Sequence, residues 1–424
     1  MRNKNNRFIK NISALCAAFL VTISLTLAAF ADSAGFAVEK ERTYSVKAPY
    51  DKNHVEIRWN TDDGENVGAP VVDGEFVLLP ALNTVRKLGE KDGKRSGVAM
   101  LDEKVSPDLH GAVLNGVLVQ PTRTMLYAVE TDGMNVLGSR QFGEIVTDVA
   151  LLDDFAYFGA KTDGGFTFFC ADYKNGFKTI WEYACKSSVT SPALYGDMIV
   201  FGADDDLVVH RSKDNEYKVN PIGAELTNVF AGRYAVFMTT SDGNVYKIRL
   251  ETDGSAEEDT LESCMVGGEL TAPAEYNNRV YVGSSDGFFI LDGLNMKVLK
   301  AFPELKNSSA PLITYSTGQR AYTVARDDQL NRDVLYSILD TDDGQTVSEI
   351  VKIIDYTGGK CAVSASGTMY FRTADGKLWA ITETQNNMFI MILKVVLTLA
   401  VIAMFIIIIL AWSKKKKSKR PPEY

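Results

Sequence analysis

Three histidines, five cysteines and two short acidic runs are the residues of this 424-residue chain whose types could do chemistry. His54, His110 and His210 lie far apart, and none sits in an H-E-x-x-H or similar metal spacing. There is no G-x-S-x-G elbow and no P-loop. Asp204-Asp205-Asp206 offers carboxylates at a turn, but calcium takes roughly six to eight oxygen ligands, more than one acidic hairpin supplies. Asp340, Asp342 and Asp343 before Gly344 lack EF-hand spacing and read as a polar turn. Cys16 lies in an N-terminal apolar stretch. Cys170, Cys185, Cys264 and Cys361 show neither zinc spacing nor C-x-x-C. Cys170 and Cys185 flank one expected hairpin, so a disulfide and buried free thiols are both open readings. Asn307-Ser308-Ser309 is a glycosylation sequon, meaningful in a host that modifies it. No residue is assigned a catalytic, cofactor-binding or metal-binding role, and ligand-binding residues stay unassigned.

The elements that would position such groups are strands. Residues 280–292 read VYVGSSDGFFILD, two β-branched and aromatic runs around Asp286-Gly287, which is a β-hairpin signal. Variants recur at 156–172, 199–210, 235–250 and 369–382, with a looser copy at 117–130. Two more carry longer loops, FVLL (76–79) with VAMLD (98–102) and AYTV (321–324) with LYSILD (335–340). A short strand and tight turn precede each hairpin, as in APVVDG (69–74), GAVLNG (111–116), SPALYGD (191–197) and APAEYNN (272–278). The central residues of the second strands are Val77, Leu118, Tyr157, Val200, Val236, Tyr281, Tyr322 and Tyr370, spaced by 41, 39, 43, 36, 45, 41 and 48 residues. A period of roughly 40–45 residues with four strands per unit predicts an all-β, eight-bladed β-propeller of four-stranded antiparallel blades over 54–382. Seven blades with one non-propeller unit is the alternative. The last unit has no room for a fourth strand, so HVEIRWN (54–60) is expected to close it, with Trp59 packing there.

Both termini read as targeting segments. Residues 1–31 have a basic start, an apolar stretch and Ala29-Phe30-Ala31, the form of a cleaved signal peptide. Cys16 follows Leu15 inside the apolar region, which argues against a lipid anchor. A linker would follow at 32–53. The run 388–412 is apolar and long enough for one transmembrane helix, with Lys394 snorkelling, and 413–424 is a basic tail expected in the cytoplasm. The expected topology is a single-pass protein of the cell membrane with its propeller extracytoplasmic.

The net charge is −9, and residues 1–31 contribute +4 while 388–424 contribute +6, leaving −19 on residues 32–387. Such a domain does not seek nucleic acid or anionic lipid. It suits basic partners or cations, or solubility alone.

With VYVGSSDGFFILD, MYFRTADGKLWAIT, SPALYGD and APAEYNN, residues 54–382 resemble the PQQ-like repeat family of β-propellers. That resemblance implies one of two branches. Quinoprotein dehydrogenases hold pyrroloquinoline quinone and calcium in an eight-bladed ring. Non-enzymatic members, such as the BamB-type lipoprotein, use the ring as a protein-binding scaffold. The enzymes' adjacent Cys-Cys pair has no counterpart here. Of the Trp that docks each blade on the next, only Trp181 and Trp59 hold equivalents, with Lys300 standing at another such place. The expectation is therefore a non-enzymatic scaffold without cofactor, binding a protein partner outside the cell or in the membrane, or a small ligand. The alternatives are a quinoprotein-type oxidoreductase and a structural envelope component.

Overall fold

The computed structural model describes residues 43–62, 67–316, 318–328, 331–353, 361–373 and 376–384, together with 396, 398 and 403–405. The chain divides into two units, Met1–Glu383 and Thr384–Tyr424. In the first, the described strands form eight sheets whose blade strands pair antiparallel, with Thr43–Tyr44 and Val55–Asp62 added to the seventh and eighth. The chain is an eight-bladed β-propeller.

Seven of the eight blades begin with a first strand of two or three residues and add longer ones outward; the blade of residues 226–265 begins with a six-residue strand. In the blade of residues 274–302 the order is Ala274–Tyr276, Arg279–Ser284, Gly287–Asp292, Lys297–Phe302. The first turn is Asn277-Asn278, both at positive φ (53° and 59°), which Asn tolerates better than most residues. The first strands run from what is here termed the entry face to the turn face of the ring.

The eight marker residues are all second-strand core. Val77, Leu118, Tyr157, Val200, Val236, Tyr281 and Tyr370 have no exposed surface, and Tyr322 has 2 %. Burial is shared between neighbours: Val200 and Val209 pack with Val229 and Met238 of the next blade, and Tyr322 with Met369 and Phe371. One blade cannot bury both faces of its sheet, so the core consists of the seams between blades.

The ring closes as expected. Val55–Asp62 is the outermost strand of the last blade, antiparallel to Lys377–Glu383, with Trp59 opposite Ala380. Trp59 also reaches the first blade, where its indole N–H donates to the Glu90 carbonyl at 2.8 Å.

Two expectations need correction. FVLL does not pair with VAMLD: Phe76–Ala81 pairs with Thr84–Gly89, and Arg95–Met100 is the outer strand. The polar letters of TVRKLG hide a strand because Lys87 lies with its ammonium 4.0 Å from the Phe76 ring. The transmembrane helix expected at 388–412 is also overturned, since among the described residues no helix is long and apolar enough to cross a membrane. A crossing needs about 20 continuous helical residues. The other residues of 388–412, like the signal segment 1–31 and the tail 413–424, lie outside the described residues.

Candidate ligand-binding channel

The first strands of the eight blades surround the axis of the ring. Around it lies a cavity of about 980 Å³, at the upper end of the range for ligand pockets. Ala112, Ala150 and Ala193, all on first strands, line it, and these small side chains leave the space open.

Part of the channel is filled by the chain itself. Thr43–Tyr44, within the span expected as a linker, forms a strand parallel to Leu312–Thr314, the first strand of the seventh blade. The Tyr315 amide donates to the Tyr44 carbonyl at 3.2 Å, and the Tyr44 side chain is 5 % exposed. Because the pairing is parallel, the chain passes from the entry face towards the turn face. There Tyr50 and His54 stack at 4.5 Å before Val55 starts the closing strand.

The loops entering the first strands carry the polar groups of the wall. Thr147, Thr190 and Thr271 each accept a hydrogen bond from a second-strand amide, of Gly159, Gly202 and Gly283 respectively (2.7, 2.8 and 3.2 Å). This explains the glycine of V-Y-V-G-S: a Cβ on Gly202 would stand 2.7 Å from the Thr190 methyl, and one on Gly283 2.5 Å from the Ser308 carbonyl. The next loop position links four blades. The His110 ring Nε2 lies 3.0 Å from the Pro70 carbonyl, which only accepts, so Nε2 carries the proton. The His110 amide donates to Asp148 Oδ1 at 2.9 Å, and the Ser191 hydroxyl donates to Asp148 Oδ2 at 3.1 Å. The serine thus meets the carboxylate while the imidazole meets a carbonyl. That arrangement ties blades together and does not activate a nucleophile.

Charged groups mark the two ends. Asp73 stands at the turn-face end, and Glu269, Arg326 and Asp333 at the entry mouth. Arg326 is held by Asp333 Oδ1 at 3.2 Å and Asn331 Oδ1 at 2.5 Å. Asn307 of the sequon lines the same mouth and is exposed.

The structure scatters the sequence candidates. His54 Nδ1 lies 2.9 Å from Asp51 Oδ1 at the turn face, and His110 is in the channel wall. His210 is buried under Trp181, ring centroids 4.2 Å apart, and burial holds its pKa below the ordinary value. That stack is the blade-to-blade docking expected of Trp181. The Asp204 carboxylate is committed to the amides of Lys186, Ser187 and Ser188 (2.9, 2.7 and 3.1 Å), which occupies lone pairs a metal would need. Asp340 is a buried latch, accepting from the Tyr281 hydroxyl at 2.6 Å and the Gln345 amide at 2.9 Å. Asp342 sits outside it, 3.6 Å from Arg279. Among the described residues, no three His, Cys, Asp or Glu converge to hold a metal ion. Cys170, Cys185, Cys264 and Cys361 are free thiols. Cys170 faces Trp181 and Cys185 faces Phe166, so the two thiols sit four rungs apart, roughly 13 Å along the strands, far beyond disulfide reach. Burial pushes their pKa values up, Cys170 to about 11 and Cys185 to about 12. Sequence reasoning missed Tyr44, Asp73, Glu269 and Arg326. For Asp73 the available signal was its place at the end of a first strand, and for Glu269 its place in the loop leading to one.

No protein-family model and no curated protein matches the chain. Solved structures do match in fold. BamB from Moraxella catarrhalis is 11 % identical, with 84 % of this chain and 98 % of that one covered at a TM-score of 0.50. The computationally designed Ika8 protein is 14 % identical, with 81 % and 99 % covered at 0.59. Sqt1 from Saccharomyces cerevisiae is 11 % identical, with 81 % and 100 % covered at 0.58. At such identities the likeness establishes the propeller and nothing finer.

Proposed function

We propose that this chain is an exported, non-catalytic propeller of the PQQ-like kind that binds a partner protein at its central channel and the rim of the entry mouth. The observation that carries this reading is a cavity of about 980 Å³ that already accepts an extended chain, Thr43–Tyr44, as an added strand. Strand addition is a general way of recognising extended peptides, with backbone hydrogen bonds giving affinity and pockets giving selectivity. The loops around the mouth vary in charge and shape from blade to blade while the strands keep the fold, which is where binding groups concentrate. His110, Asp148 and Ser191 of the wall are engaged with one another, and Cys170 and Cys185 are buried and protonated, which favours binding over catalysis. Export follows from the leader-like residues 1–31.

The test is site-specific photo-cross-linking in intact cells. A photoreactive residue replacing Glu269 or Asn307 at the mouth should capture one recurrent protein neighbour. The same residue at Tyr217, exposed on an outer strand, should not. Equal capture from all three positions, or none from the mouth, refutes the reading.

A further inference from the structure

We propose that the channel takes a free chain terminus in extended form, basic at both ends and apolar or aromatic between, paired in parallel with an uncapped first strand. This rests on the binding reading above and names the chemistry of the occupant.

Three observations carry it. First, the chain's own segment demonstrates the mode: Thr43 lies opposite Ile313 and Tyr44 opposite Thr314, in parallel. Second, among the described residues only the seventh blade is capped in this way. Among the described residues, the first strands of blades one to six, such as Ala112–Leu114 and Ala193–Tyr195, each have a strand partner on one side alone. Their other edges present backbone N–H and C=O groups to the channel, the requirement for strand addition. Third, the charges favour a basic occupant. Arg326 is paired with Asp333, and Asp148 is committed to His110 and Ser191. Asp73 and Glu269 then set the electrostatics of the two ends, both negative, with small apolar side chains between them. In sequence, Arg42 precedes Thr43-Tyr44 and Lys47 follows. Because the blades close a ring around the axis, a loop cannot thread the channel, whereas a terminus can.

The experiment uses the full-length protein and a synthetic peptide with the sequence Arg-Thr-Tyr-Ser-Val-Lys, blocked at both ends. Its acidic analogue, Glu-Thr-Tyr-Ser-Val-Glu, is the control. Titration calorimetry should show one site for the basic peptide and none for the acidic one. Asp73→Lys combined with Glu269→Lys should weaken binding by at least about tenfold, with the melting temperature confirming that the variant is folded. Independently, a benzoylphenylalanine in place of the peptide's tyrosine should cross-link the unmodified protein within 112–114 or 193–195. No binding at millimolar peptide, binding indifferent to the charge reversal, or cross-links on the outer strands would each overturn the proposal. A single partner captured from Glu269 or Asn307 in cells would survive those failures, so a wrong occupant is distinguishable from a wrong site.

Discussion

Trp59→Ala should loosen the ring at its closing strand. The closing strand Val55–Asp62 joins the last blade across more than 300 residues of chain, so nothing local holds it. Trp59 is 9 % exposed, lies 5.7 Å from the Tyr370 ring, and donates its indole N–H to the Glu90 carbonyl of the first blade at 2.8 Å. Truncating a buried Trp to Ala costs about 3–5 kcal/mol. Stranding the Glu90 carbonyl accounts for about 1–3 kcal/mol of that. Against a total stability of about 5–15 kcal/mol, this is a large share. At an m-value of about 3 kcal/mol per molar, a loss of about 4 kcal/mol moves the urea midpoint down by roughly 1.3 M. Trp59→Phe keeps most of the ring contact and loses the N–H, so its loss should be about 1–3 kcal/mol. Equilibrium urea unfolding of the three proteins measures both differences. Hydrogen exchange should show the amides of 55–62 accelerated first. An alanine variant within about 0.3 M of the parent, or a phenylalanine variant as damaged as alanine, refutes the idea that this side chain holds the closure.

Lys247→Met should cost about 2–3 kcal/mol. It removes an ammonium that donates to the carbonyls of Gly293 (3.2 Å) and Leu294 (2.7 Å) in the next blade and to Glu262 (2.6 Å), and thermal melting measures the loss. His210 resists protonation when folded because it is buried, whereas the unfolded chain takes up that proton near pH 6.5. Below that pH the unfolded state binds more protons, so stability should fall as pH drops from about 6.5 through the folded value. The urea midpoint of His210→Phe should lose that part of its pH slope. Cys170 and Cys185, with thiols raised to about 11 and about 12, should resist iodoacetamide at pH 8 until urea exposes them, and peptide mapping should find no 170–185 cross-link. Pyrroloquinoline quinone with calcium should leave absorbance and melting unchanged; a saturable change in both would restore the quinoprotein reading.

What the sequence disclosed and what it hid divide along the range of the interactions. Hairpins are local, so VYVGSSDGFFILD announces its own strands, and repetition turned eight uncertain hairpins into one architecture with its marker residues in the core. The closing strand was legible by subtraction, since one blade lacked a strand and one strand lacked a blade. Lys87 was misleading because a charged letter in a strand pattern suggests solvent, while its ammonium lies over the Phe76 ring. The apolar run 388–412 was misleading in another way. Hydropathy states what a helix there would bury, and it does not state that a helix of sufficient length forms. The channel was illegible for a deeper reason. Thr43-Tyr44 is too short for any periodicity, and its partner, Ile313-Thr314, lies some 270 residues away. Asp73 and Glu269 fall in different blades and read singly as loop acids; only ring closure places them at the two ends of one cavity. In a repeat protein the scaffold is therefore written in what the units share. The site is written in what each unit does differently at the same position, and the two become separable once the repeats are superposed on a closed ring.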